Sequence, residues 1–150
     1  MHALEAAEEA APSDRGTVLI VEDDDGIRSL LVAVARHDGF DCRIAEDGAG
    51  AIEALGDGGA EPDVILLDLL MPRVDGFTVL DHLDRSRPHL LSSVIILTAA
   101  GESSLRKCRQ IDRVFCVRRK PLELADLRVQ MLHCAAAAHE RGAGRRQQGH

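Results

Sequence analysis

Four short apolar runs recur along the chain, and each leads to a polar side chain. Val18-Leu19-Ile20-Val21 runs into Glu22-Asp23-Asp24, Val64-Ile65-Leu66-Leu67 into Asp68, and Val94-Ile95-Ile96-Leu97 into Thr98. Val114-Phe115-Cys116-Val117 leads within three residues to Lys120-Pro121. Short, uninterrupted Val/Ile/Leu runs predict strands covered on both faces, as in a parallel sheet. Stretches with helical spacing alternate with them. Ile27, Leu30, Leu31 and Val34 mark a first helix, with Asp25 as its N-cap and Gly39 as its stop. Phe40 to Ala45 reads as a second strand, and Ala49 to Leu55 as a short helix weakened by glycine. Phe77, Leu80 and Leu83 mark the next helix, a polar helix follows around 102–110, and strands four and five fall at 93–97 and 114–118. The last helix carries Leu124, Leu127, Met131, Cys134 and Ala138 on one stripe that docks on the sheet. Five strands alternating with five helices imply a doubly wound α/β fold built on a five-stranded parallel sheet with right-handed crossovers. One domain covers 16–138, residues 1–15 read as a flexible leader, and 139–150 as a disordered basic tail.

Composition narrows the function. With 45% apolar residues but only 2% aromatic, the core is built from Val, Ile, Leu and Ala. A formal charge of -7 argues against a general nucleic-acid binder, whose footprint is basic. No stretch approaches the roughly 20 apolar residues of a membrane span, and the N-terminus lacks the features of a secretory signal, so the expected compartment is the cytoplasm. Cys42, Cys108, Cys116 and Cys134 show no zinc-ligand spacing and read as reduced, packed thiols. The seven histidines are scattered singly and read as surface residues.

The strand-end residues carry the chemistry. In a parallel sheet the C-terminal ends share one edge, so the four polar groups converge there. Glu22, Asp23 and Asp68 would repel unless one stays protonated or a divalent cation binds. Oxygen-only ligands select a hard ion such as Mg²⁺. Lys120 adds a positive charge and Thr98 a hydroxyl, a set suited to phosphate, with a carboxylate as attacking nucleophile. Singly, each residue has a blander reading as a turn, a cap or a solvated charge. That reading must explain four coincidences at one edge.

Over roughly residues 16–138 the chain resembles a bacterial response-regulator receiver domain. The resemblance rests on 18–24, on 63–72 with Asp75-Gly76, on 94–99 and on Lys120-Pro121. It implies a flavodoxin-like strand order 2-1-3-4-5, Mg²⁺ as cofactor, and Asp68 as phosphoacceptor. Asp23 would bind the metal directly, Glu22 through water, and the Leu70 backbone carbonyl would complete the protein's share. Thr98 would bond the phosphoryl group, beside the small Ala99, and Lys120 would pair with it across a cis Lys120-Pro121 bond. The donor would be a histidine kinase or a histidine phosphotransfer protein.

Three features of the chain, one of them a departure from the family pattern, shape the expected behaviour. Val117 stands where receivers carry a switching aromatic, and Phe115, on the same strand face by its spacing, lies about 6.6 Å upstream. Leu70 and Ala100 cannot orient water, which predicts a slowly hydrolysing phosphoryl group. Arg106, Lys107, Arg109, Arg113, Arg118 and Arg119 face only the acid Asp112 within their segment and predict an acidic downstream partner. The expected protein is a stand-alone regulator, monomeric or weakly dimeric, that signals by docking and contacts neither nucleic acid nor membrane. It catalyses only its own phosphorylation and dephosphorylation. The alternatives are a phosphorylation-independent receiver-like binding module and an aspartate-based phosphatase. Against the phosphatase, Leu70 occupies the position of the second acid.

Overall fold

The computed structural model describes residues 15–56 and 60–148. Strands β1 (Thr17–Val21), β2 (Asp41–Ala45), β3 (Val64–Asp68), β4 (Val94–Thr98) and β5 (Cys116–Arg119) form one all-parallel sheet in the order β2-β1-β3-β4-β5. The α-helices are α1 (Asp25–His37), α2 (Gly48–Gly56), α3 (Gly76–Ser86), α4 (Glu102–Arg106) and α5 (Leu124–Gln148), and a 3₁₀ helix spans Pro88–Ser93. The doubly wound fold expected from the alternating pattern is the fold observed. Side chains alternate across the sheet. Leu19, Val21, Ile65, Leu67 and Ile96 meet α2, α3 and α4 on one face. Val18, Ile20, Val64, Leu66, Ile95 and Leu97 meet α1 and α5 on the other. Every residue of β3 and β4 is buried, as continuous apolar runs require.

Several boundaries differ from the sequence reading, each for a local reason. The N-cap of α1 is Asp24, not Asp25: its extended backbone lets the carboxylate accept from the Ile27 N–H at 2.8 Å. Asp25 instead sits in the first turn and pairs with Arg28. The polar helix expected over 102–110 is only five residues long. The following segment is drawn to α3, where Gln110 Nε2 donates to Asp81 at 2.8 Å and Asp84 at 3.1 Å, while Arg113 forks onto Asp84. Phe115 does not share a face with Val117. Val117 packs on the α2–α4 side and Phe115 on the α1–α5 side.

The last helix continues to Gln148, through most of the stretch read as a disordered tail. Contacts at the N-terminal rim of the sheet account for its extension. His139 Nε2 lies 3.3 Å from Asp63 Oδ1, and Arg141 Nη2 donates to Ser93 Oγ at 3.0 Å. The expected leader, apart from Arg15, lies outside the described residues.

Candidate functional site

The acidic edge is built by strand ends whose backbone leaves little choice of direction. Because Asp24 is committed to capping α1, only Glu22 and Asp23 of that acidic triplet remain for the pocket. Glu22 is 1% exposed, and its Oε2 accepts from the Asp24 N–H at 3.3 Å. Asp68 ends β3 and is also buried, its Oδ1 accepting from the Leu70 N–H at 3.1 Å. Glu22, Asp23 and Asp68 each offer an oxygen within 4.8 Å of the others.

Lys120 enters from the end of β5, across a cis bond to Pro121. Its backbone N–H donates to the Thr98 carbonyl at 2.9 Å, which fixes β5 against β4 just where the ammonium turns inward. Nζ donates to Glu22 Oε1 at 2.7 Å and lies 3.4 Å from Asp68 Oδ2. Burial alone would lower the lysine pKa, but the hydrogen bond to Glu22 and the charges of Asp68 and Glu22 outweigh it and hold it above the ordinary value. Thr98, fully buried, accepts from the Ala100 N–H at 2.9 Å, which leaves its O–H hydrogen as a donor.

The loop after β3 is held by close backbone packing. Asp75 caps α3 by accepting from the Thr78 N–H at 3.0 Å. Gly76 donates to the Leu69 carbonyl at 3.1 Å, and a Cβ there would lie 2.4 Å from the Asp68 carbonyl oxygen. Asp75-Gly76 entered the sequence reading through the family resemblance, which did not reveal this backbone contact.

The strand-end residues singled out in the sequence therefore meet at one edge, and Leu70 follows Asp68 in the loop beside it. Three carboxyl groups face a single ammonium, an imbalance suited to a hard divalent cation with oxygen ligands. Sequence reasoning missed Arg28, whose side chain is 13% exposed and reaches the backbone of both Glu22 and Asp23. Its spacing to Asp25 was the available signal. Sequence spacing also overstated the free basic charge. Arg109 pairs with Asp81, Arg113 with Asp84, Arg118 with Asp126, and both Arg106 and Arg119 with Glu102. These partners are distant in sequence or lie just outside the basic segment.

Known proteins share this fold and sequence pattern. The family model for the response regulator receiver domain matches residues 18–131. The sensor kinase CckA of Brucella abortus is 30% identical over 115 residues, 77% of this chain and 12% of that protein. The "Probable methanogenesis regulatory protein FilR2" of Methanothrix harundinacea is 31% identical over 134 residues, covering 85% of this chain and 86% of its own length. The receiver domain of the Francisella response regulator 1452 superposes with a TM-score of 0.69 at 25% identity, covering 81% of this chain and 98% of that one. The chain spans less than a fifth of the length of the first curated relatives it matches, CckA and NtrC. Among the described residues, no helix is long and apolar enough to cross a membrane. Sheet order, acidic edge and family match lead to one assignment: this chain belongs to the response regulator receiver domain family.

Proposed function

We propose that this chain accepts a phosphoryl group on Asp68 from a histidine kinase or histidine phosphotransfer protein and signals by docking to a partner. The observation that carries this reading is the Lys120 ammonium, seated between Glu22 and Asp68, whose carboxylates cluster with that of Asp23. An Asp68 oxygen attacks phosphorus as the P–N bond to the donor imidazole breaks, and the electron pair of that bond leaves with the imidazole nitrogen. Lys120 meets a phosphoryl oxygen and Thr98 donates its hydroxyl hydrogen to another. Glu22, Asp23, Asp68 and the Leu70 carbonyl would hold Mg²⁺, whose charge offsets that of the transferring group.

Incubation with acetyl phosphate and Mg²⁺, read by intact mass, tests this. The expected result is one added phosphoryl group in the wild type and none in Asp68→Asn. No uptake by the wild type would favour a phosphorylation-independent binding module, a reading that Val117 and the opposite-facing Phe115 also support. A slow loss of the group follows from apolar Leu70, 51% exposed beside the acceptor, and from Ala100. A purified phosphoprotein with a half-life of seconds contradicts it.

In this reading the regulator acts by docking in the cytoplasm. Its downstream partner would be acidic at the contact. Exposed pairs such as Arg106–Glu102 and Arg119–Glu102, both at 3.6 Å, are weak enough to exchange for a partner's carboxylates. They rim a groove of about 300 Å³ over Leu105 and Ile111. The forked Arg113–Asp84 pair is less available.

A further inference from the structure

We propose that Arg28 is a positioning residue of the Mg²⁺ site, holding the backbone that aims Glu22 and Asp23 into the pocket. This rests on the phosphoacceptor reading but assigns a role to a residue outside the pocket. One guanidinium serves four groups. Nη1 donates to the Glu22 carbonyl at 3.0 Å and reaches the Asp23 carbonyl at 3.5 Å. Nη2 donates to the Asp25 carboxylate and lies 3.7 Å from Glu46 Oε1, just after β2. The arginine therefore ties the loop after β1 to the loop after β2 from below the acidic edge.

The need for such a hub follows from the loop itself. Glu22 and Asp23 follow the last residue of β1, and the Asp23 carboxylate is exposed. The Glu22 N–H still bonds to the Ala45 carbonyl at 3.2 Å, but the carbonyls of Glu22 and Asp23 lie past the last paired residue of the strand, and a carboxylate on a loosely tied backbone must lose its freedom when metal binds. Tying both carbonyls removes that cost beforehand.

Two effects of Arg28 oppose each other. A positive charge near the pocket repels a dication, while a fixed loop favours it. Asp25 and Glu46 largely neutralise the guanidinium locally, so the geometric effect wins. Lysine separates the two, because it keeps the charge and the aliphatic stem but has no planar fork.

The test is Mg²⁺ affinity, measured by calorimetry or by amide shifts of Asp23 and Leu70, for wild type, Arg28→Ala and Arg28→Lys. Urea midpoints are followed in parallel. Both variants are expected to bind Mg²⁺ about tenfold more weakly, the effect typical of lost outer-shell support. The loss should persist under conditions where each variant is fully folded. Unchanged affinity in Arg28→Ala overturns the proposal, and so does wild-type affinity in Arg28→Lys. If Arg28→Ala does not fold, Arg28→Lys alone decides it. Absence of Mg²⁺ binding by the wild type would instead sink the phosphoacceptor reading beneath it.

Discussion

Lys120 carries two roles that pull in opposite directions. It neutralises Glu22 and Asp68 at rest, and in the proposed reaction it must meet the phosphoryl group. As a positive charge beside the carboxylates, it also competes with any metal for them. Lys120→Met is therefore expected to tighten Mg²⁺ binding roughly tenfold while slowing phosphoryl uptake. Calorimetry and intact mass read the two effects separately, and weaker Mg²⁺ binding would contradict the first. Because the folded-state pKa is raised, the ammonium keeps its charge up to and beyond the ordinary value of 10.5, so neither effect should vary across neutral pH. Burial acts the other way on the thiol of Cys134, pushing its pKa up to about 12. Iodoacetamide at pH 8 should leave Cys134 unmodified until the chain unfolds, as peptide mapping would show. At this scale the pocket residues were legible as strand-end polar groups, but Asp24 and Asp25 were not separable. Two adjacent aspartates have equal capping chemistry, and only the backbone angle at Asp24 decides between them.

At the scale of elements, the site depends on how closely α3 approaches the end of β3. Gly76→Ala would place a methyl group 2.4 Å from the Asp68 carbonyl oxygen, a backbone atom unable to swing aside. The expected cost is about 1–3 kcal/mol in urea unfolding, with phosphoryl uptake reduced as Asp68 is displaced. Full stability and full uptake would show that the loop yields. The same scale explains where periodicity misled. Residues 107–110 have enough polar and basic side chains to read as the continuation of a surface helix, but the buried Gln110 and its arginine neighbours find stronger partners in Asp81 and Asp84. Phe115 shows a related failure. Strand alternation puts it beside Val117, but β5 begins only at Cys116, and the residue before a strand does not obey its period.

For the whole molecule, α1 and α5 are joined across their shared face by Arg128, whose two donors sit 2.9 and 2.8 Å from the Asp38 carboxylate. That hydrogen bond holds the Asp38 pKa below the ordinary 3.8. A depressed folded-state value stabilises the protein above the unfolded pKa, and the gain is lost as pH falls through the folded one. Arg128→Gln should therefore lower the urea midpoint at neutral pH. The difference from wild type should shrink once pH drops below 3.8, and a constant gap would rule out the linkage. Element types and sheet class were legible because the runs at 18–21, 64–67 and 94–97 are too short and too uniform for anything but buried strands, while the run at 114–117 leads into a half-buried edge strand. Strand order came from family resemblance, since periodicity says nothing about neighbours. The length of α5 was not legible, because Arg141 and His139 find Ser93 and Asp63 only after folding.

Those two contacts secure one rim of the sheet through residues distant in sequence, while the loops past Asp68 and Thr98 are held largely by turn and cap hydrogen bonds between residues two or three apart. Amide hydrogens should therefore exchange with solvent deuterium along a gradient, slowest where β3 and β4 begin and fastest in the loops past Asp68 and Thr98. Loss of the Ser93 anchor in Arg141→Ala would speed exchange at the slow end and leave the fast end unchanged.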